Sequence, residues 1–380
     1  MTNDAVYLDN AATTAPLAEA IAAMEATMRE GFYNPSAFYA PAVKARERVD
    51  ACRKAIIARL KAKDAVFTSG GTEADNLAII GRMRGSRRRG RVLFSQAEHP
   101  AVREACLSLK DAHDVAPIPL TQEGIVDLDA LAGLMTPDTQ LVCVMHVSNE
   151  VGSVQPLEEV VRLRDRLCPE AALHVDGVQA FLRLDASLRG GIDSYAISAH
   201  KVHGPKGVGA LALGANSRLQ PIVHGGQQEK NLRSGTENTP GIAGLHAAMA
   251  HYPDPGGMRE NKLRLWRLIR DDIPEAAVNG PDPASDRACA HILSVSFPPV
   301  MAETFMHALE GERVYVSHGS ACATRKKAAN PVFEAMGLAG PREASAVRFS
   351  LSPFTTPQDV ERAAQACVRA YRMLRAFTKR

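Results

Sequence analysis

Lys201 closes the segment Ser198-Ala199-His200-Lys201, where an apolar run ends and Gly204-Pro205-Lys206-Gly207 follows. A lysine at the end of a buried strand suits a Schiff base with an aldehyde cofactor. Burial and nearby cations lower its pKa and free more of the amine. A lone loop lysine reads as exposed, since lysine is rarely buried, but three other segments shift that balance. In Thr68-Ser69-Gly70-Gly71-Thr72-Glu73 a strand runs into glycines and a helix begins. Amides at a helix start bind phosphate with help from the dipole. The Gly-Lys-Ser/Thr ending of a nucleotide P-loop is missing, and a plain turn is the alternative. His174-Val175-Asp176-Gly177-Val178-Gln179 puts an Asp at the end of another apolar run. Such a charge is costly unless it meets a cation. A protonated pyridine nitrogen is one, and keeping it protonated makes the ring an electron sink; a helix N-cap is the alternative. Ala97-Glu98-His99-Pro100 offers a His that stacks on a ring and moves protons, or one that only shapes a loop.

Two later segments carry a nucleophile and an anion binder. Ser317-His318-Gly319-Ser320-Ala321-Cys322 leads into Arg325, Lys326 and Lys327. Those cations favour the thiolate. Of the seven cysteines Cys322 alone has such neighbours; Cys143, inside an apolar run, reads as packing. Arg348, in Val347-Arg348-Phe349-Ser350-Leu351, suits a substrate carboxylate or a structural ion pair.

These residues need a frame. Apolar runs at 65–68, 91–95, 141–147, 172–176, 194–198 and 208–213 alternate with helical spacing at 72–83, 101–110 and 157–167. That alternation predicts an α/β protein with a mostly parallel sheet covered on both faces, binding ligands at its strands' carboxyl ends. Tyr252-Pro253-Asp254-Pro255-Gly256-Gly257 breaks the pattern, which places a domain boundary near residue 255. Beyond it come a long helix, strands at 292–297 and 314–317, a helix at 302–309 and a closing helix. A net charge of +3 excludes a generally basic nucleic-acid binder. The arginines at 82, 84, 87, 88, 89 and 91 read as a solvated loop, or as a patch for an acidic partner. No apolar run reaches the roughly 18 residues of a membrane span, and the N-terminus lacks signal-peptide character. Seven scattered cysteines without a Cys-x-x-Cys pair point to a reducing, cytoplasmic setting, with no metal site.

Taken together, from Tyr7-Leu8-Asp9-Asn10-Ala11-Ala12-Thr13-Thr14 to Arg348-Phe349-Ser350-Leu351, the ordered motifs resemble the NifS/IscS-type cysteine desulfurases of the class V aminotransferase group. The resemblance covers essentially the whole chain. It implies the pyridoxal 5'-phosphate fold type I, aspartate-aminotransferase-like. A large domain, 15–255, holds a mostly parallel seven-stranded sheet; a smaller α+β domain, 1–14 and 256–380, carries the Cys322 loop. It implies a homodimer. Lys201 would carry the cofactor, and Gly71, Thr72, Ser198 and His200 would hold its phosphate. Thr236 would reach the neighbouring subunit's phosphate. Asp176 would pair with the ring nitrogen and Gln179 with the ring hydroxyl. His99 would stack on the ring, with Asn149 near ring and substrate. Asn34 and Arg348 would take the substrate carboxylate. The implied reaction turns L-cysteine into L-alanine. Lys201 takes the α-proton and Cys322 receives the sulfur as a persulfide. An acceptor protein then takes the sulfur, iron–sulfur cluster assembly being the family's usual role. A selenocysteine lyase, another class V enzyme and a non-catalytic scaffold are the competing readings. Tyr39, Gln227-Gln228-Glu229-Lys230-Asn231 and Pro331-Val332-Phe333-Glu334 depart from the usual motifs, and the last of these bears on the acceptor.

Overall fold

The computed structural model describes residues 5–86, 88–318 and 330–378. Its strands are β1 (Val6–Tyr7), β2 (Asp64–Thr68), β3 (Arg91–Ser95), β4 (Asp114–Ile118), β5 (Thr139–Cys143), β6 (Ala172–Asp176), β7 (Ser194–Ser198), β8 (Gly209–Leu213), β9 (Ala277–Asn279), β10 (Ile292–Ser296), β11 (Val314–Tyr315) and β12 (Ala346–Ser350). Seven form one sheet in the order β2-β8-β7-β6-β5-β3-β4. Strands β4, β3, β5, β6 and β7 pair in parallel, and β8 runs antiparallel to β7 and β2. Every residue of β7 and β8 is buried. A strand covered on both faces needs apolar or small residues throughout, and both strands supply them.

Helix Gly71–Arg84 lies on one face and buries Ala74, Leu77, Ala78 and Gly81. These recur three and four residues apart and so share one stripe. They pack with Val66, Ala196 and Leu211 of the sheet. Helix Leu157–Leu167 starts with Glu158 and Glu159 and ends with Arg164 and Arg166, charges that match its dipole. The carboxyl ends of β2, β3, β6 and β7 deliver Thr68, Ser95, Asp176 and Ser198 to one edge of the sheet.

A separate apolar core joins Val6 and Leu8 to residues between Leu265 and Tyr371. It contains an antiparallel sheet in the order β12-β10-β9 and the helices Gly256–Asp272 and Pro357–Thr378. The early chain is stitched to it: Ser350 N donates to Leu8 O at 2.7 Å, and Asn10 Nδ2 donates to Ser350 O at 2.9 Å. β12 thereby sets Arg348 beside the segment from Asp9 to Ala12.

Two sequence expectations change in detail. The run 141–147 leaves the sheet after Cys143, although Val144 to Val147 stay buried. The arginine cluster is partly tied down: Arg82 donates to Glu170 O, Arg84 to Pro221 O, and Arg91 pairs with Asp114. Arg87 lies outside the described residues. No helix among the described residues is long and apolar enough to cross a membrane.

Candidate active site

After β7 the chain makes one short turn, Ala199–Lys201, closed by Val202 N and Gly204 N on Ala199 O. The turn aims Lys201 along the sheet edge. Its Nζ donates to Ala11 O at 2.6 Å and Ala12 O at 2.8 Å. Burial, then the nearby Arg348 and Arg183, push the lysine down to about 8, against the pull of Asp176 and Asp9. At pH 7 about one such lysine in ten is a free amine, compared with about one in three thousand at the ordinary pKa.

Lys201 faces a cavity of ≈ 240 Å³. Gly71, Thr72, His99, Asn149, Asp176, Gln179, Ser198, His200 and Arg348 line it too. Ten residues named from the sequence, Lys201 included, therefore meet in one place. Helix Gly71–Arg84 opens on this cavity without a side-chain cap, so its first amides are available. His200 Nδ1 lies 3.1 Å from Thr13 Oγ1, and burial with Lys201 and Lys206 lowers its pKa to about 4.

Asp176 ends β6, and its Oδ1 accepts from Val178 N at 2.9 Å. Burial pushes its carboxyl up, and His99 and Lys201 oppose this only in part. His99 caps helix Pro100–Leu107, with Nδ1 accepting from Ala101 N at 3.1 Å. In the neutral ring the hydrogen therefore sits on Nε2. Burial lowers the His99 pKa, aided by Lys201 and Arg103 and opposed by Asp176 and Glu150.

Arg348 is nearly fully buried. Nη1 donates to Asn149 O at 2.7 Å and Nη2 to Asp9 Oδ1 at 3.0 Å. The arginine is thus ion-paired, and it also lines the cavity. Its buried Nε has no partner among the described residues.

Three named residues stand apart. Asn34 is exposed and away from the cavity, its Oδ1 accepting from Ser36 N in a turn between two helices. Thr236 lines a different cavity, beside Ser69, Glu229 and Arg233. Cys322, with Arg325 to Lys327, lies outside the described residues. Sequence reasoning missed Ala11, Ala12 and Asp75 in the cavity wall. Asp75 had a signal: it stands four residues after Gly71, on the same helix face. It is buried with His174 Nε2 at 3.2 Å. Burial, then Asp176 and Glu98, push its carboxyl well up.

The family model for class-V aminotransferases matches residues 6–363. The chain belongs to that family. A cysteine desulfurase of Cereibacter sphaeroides is 36% identical over 381 residues, 98% of this chain and 97% of that protein. Among solved structures, a NifS-like protein superposes with a TM-score of 0.89 at 30% identity, covering 97% of this chain and 100% of its own. SspA in complex with cysteine superposes at 0.80, also 30% identical, covering 92% and 99%.

Pyridoxal 5'-phosphate is the cofactor of this class-V fold, and the cavity fits it on three counts. Asp176 is a buried acid short of a cation, which a protonated ring nitrogen supplies. The helix start at Gly71 and Thr72 offers uncapped amides to a phosphate. A Cβ on Gly71 would come within 2.9 Å of Val178 Cγ2, so only glycine leaves that corner open.

Proposed function

We propose that this chain is a cysteine desulfurase that removes sulfur from L-cysteine and leaves L-alanine. One observation carries the reading: Lys201, Asp176, His99 and Arg348 line a single cavity, in a chain whose relatives over nearly its full length are named cysteine desulfurases.

Bound pyridoxal phosphate supplies the electron sink that makes the substrate α-proton removable. Gly71, Thr72, Ser198 and His200 hold its phosphate, Asp176 its ring nitrogen, Gln179 its ring hydroxyl and His99 its ring face. Lys201 would hold its aldehyde carbon, and as a free amine would take the substrate α-proton. Arg348 receives the substrate carboxylate, with Asn149 beside it. For Asn34 the resemblance is the sole support. The Cys322 thiolate attacks the substrate sulfur. The bond from that sulfur to the β-carbon breaks, its electron pair stays with carbon, and protonation gives L-alanine. Cys322 is left as a persulfide; this role rests on Gly319-Ser320-Ala321-Cys322 and on the relatives. The sulfur then passes to an acceptor protein, in iron–sulfur cluster assembly or another sulfuration route.

The same reading includes a homodimer, in which Thr236 serves the second copy; its position outside its own chain's cavity supports this. A division into 15–255 and 1–14 with 256–380 is supported by the two apolar cores. A cytoplasmic setting is supported by six described cysteines, all unpaired and buried.

The test adds L-cysteine and a reductant to the purified holoenzyme and measures alanine and sulfide, beside Cys322→Ala and Lys201→Ala. Equal alanine and sulfide from wild type and neither from the variants is expected. Turnover that survives Cys322→Ala would overturn the persulfide step.

A further inference from the structure

We propose that His291 is a positioning residue that fixes which end of the Gln179 side-chain amide faces the cofactor cavity. The inference rests on the reading above, in which the cofactor's ring hydroxyl lies toward Gln179.

His291 immediately precedes β10 and is fully buried. Its Nε2 lies 3.4 Å from Gln179 Oε1, at the long end of a hydrogen bond. At the other end of the same amide, Gln179 Nε2 donates to Ala11 O at 2.9 Å. An amide end that meets a carbonyl oxygen must be the NH2, because two acceptors repel. The opposite end is then oxygen, and it needs a donor. His291 is the donor in place.

The charged groups acting on His291 are Arg183, Lys262 and Arg348, with no carboxylate among them. They come from the loop after β6, from helix Gly256–Asp272 and from β12. Burial and these cations hold the ring neutral. A neutral imidazole has one N–H, and Gln179 Oε1 draws it to Nε2. Nδ1 is left a buried lone pair without a partner among the described residues. Leaving a buried polar atom unpaired is unfavourable, so an apolar residue would suit packing better here. The donor function explains the histidine.

Gln179 has two amide hydrogens. One goes to Ala11 O, which also accepts from Lys201 Nζ. The other remains for the cavity that Gln179 lines. The cavity thus shows the ring hydroxyl a donor, which favours its anionic form. With His291 removed, Oε1 loses its donor and the bond to Ala11 O is left as the amide's one hold on this orientation among the described residues. The control also crosses between the two cores. His291 O accepts from Leu351 N at 2.8 Å, next to the strand that carries Arg348, whereas Gln179 follows β6.

The test follows the visible absorbance of bound pyridoxal phosphate against pH in wild-type holoenzyme, His291→Leu, His291→Gln and Gln179→Met, with alanine formation measured in parallel. His291→Leu removes the donor at similar volume. It should move the absorbance midpoint up by about one pH unit and lower kcat/KM about tenfold, the loss of one hydrogen bond to a charged oxygen. His291→Gln can place an amide N–H where Nε2 stood and should return both to near wild type. Gln179→Met should shift the midpoint in the same direction as His291→Leu. A wild-type midpoint in Gln179→Met overturns the inference even where His291→Leu does not fold. So does a His291→Gln midpoint displaced as far as that of His291→Leu, since packing alone would then account for the residue. Wild-type protein that takes up no pyridoxal phosphate overturns the underlying reading first, and this inference with it.

Discussion

Replacing Lys201 with Met should change how stability depends on pH, apart from any effect on turnover. Free lysine titrates near 10.5 and Lys201 near 8 in the folded chain. The difference of roughly 2.5 units corresponds to ~3 kcal/mol. Below pH 8 folded and unfolded chains both hold the proton, and the folded state bears the full penalty of a buried charge. Between pH 8 and 10.5 the folded chain gives up the proton first, so the unfolded chain binds more protons and wild-type stability rises with pH. Lys201→Met has no such group. It also loses the bonds to Ala11 O and Ala12 O, an offset of about 1 kcal/mol each that varies little with pH. The wild-type-minus-variant stability should therefore climb by about 2.5 kcal/mol from pH 7 to pH 10. Urea unfolding of the apoprotein at pH 7, 8, 9 and 10 measures it; groups that do not interact with Lys201 cancel in the difference, and burial keeps the neighbouring His99 and His200 below this range. A difference flat to within about 0.5 kcal/mol would show that Lys201 is not held as a buried near-neutral amine, and the account of its base role would fall with it.

Two further substitutions probe the cofactor's seat. Asp176→Asn removes the charge but keeps the shape, and kcat should fall about 10²–10³-fold, the scale of removing one partner of a buried ion pair; near-normal kcat in steady-state alanine release would show that the ring nitrogen needs no anion there. Gly71→Ala should raise the dissociation constant for pyridoxal phosphate about tenfold, because its Cβ lands 2.9 Å from Val178 Cγ2. Alanine's better helix propensity, up to about 1 kcal/mol, keeps thermal stability from falling in step. Absorbance titration beside a melting curve separates the two effects, and unchanged affinity would place the phosphate elsewhere.

Much of the frame was legible because parallel strands are apolar on both faces. β3, β6 and β7 have the limits their apolar runs predict, as does helix Leu157–Leu167. β4 escaped notice for a physical reason. Its sequence, Asp114-Val115-Ala116-Pro117-Ile118, carries a proline that argues against a strand. An edge strand tolerates it, and β4 pairs only with β3. Residues at strand ends were legible because chemistry chose their types: Lys201, Asp176 and His99 are each odd at the end of an apolar run. Ala11 and Ala12 were not, since they act through backbone carbonyls, which any residue supplies. Asp9 was seen only as part of a motif; that it pairs with Arg348 needed the fold.

The stitch between Asn10 and Ser350 joins residues 340 positions apart. During synthesis at about 5–20 residues per second, the early segment waits on the order of 20–70 s for β12 to emerge. Until then the segment that offers the Ala11 and Ala12 carbonyls to Lys201 Nζ has only its nearer partners, among them Gln179 and His200. The tie to β12, and with it Arg348 beside the amine's seat, is thus the last part of the cavity wall to be made. One pocket wall is therefore shared by the residues that follow the first strand and by the last strand of the fold, and its shape is decided by a contact that spans nearly the whole sequence.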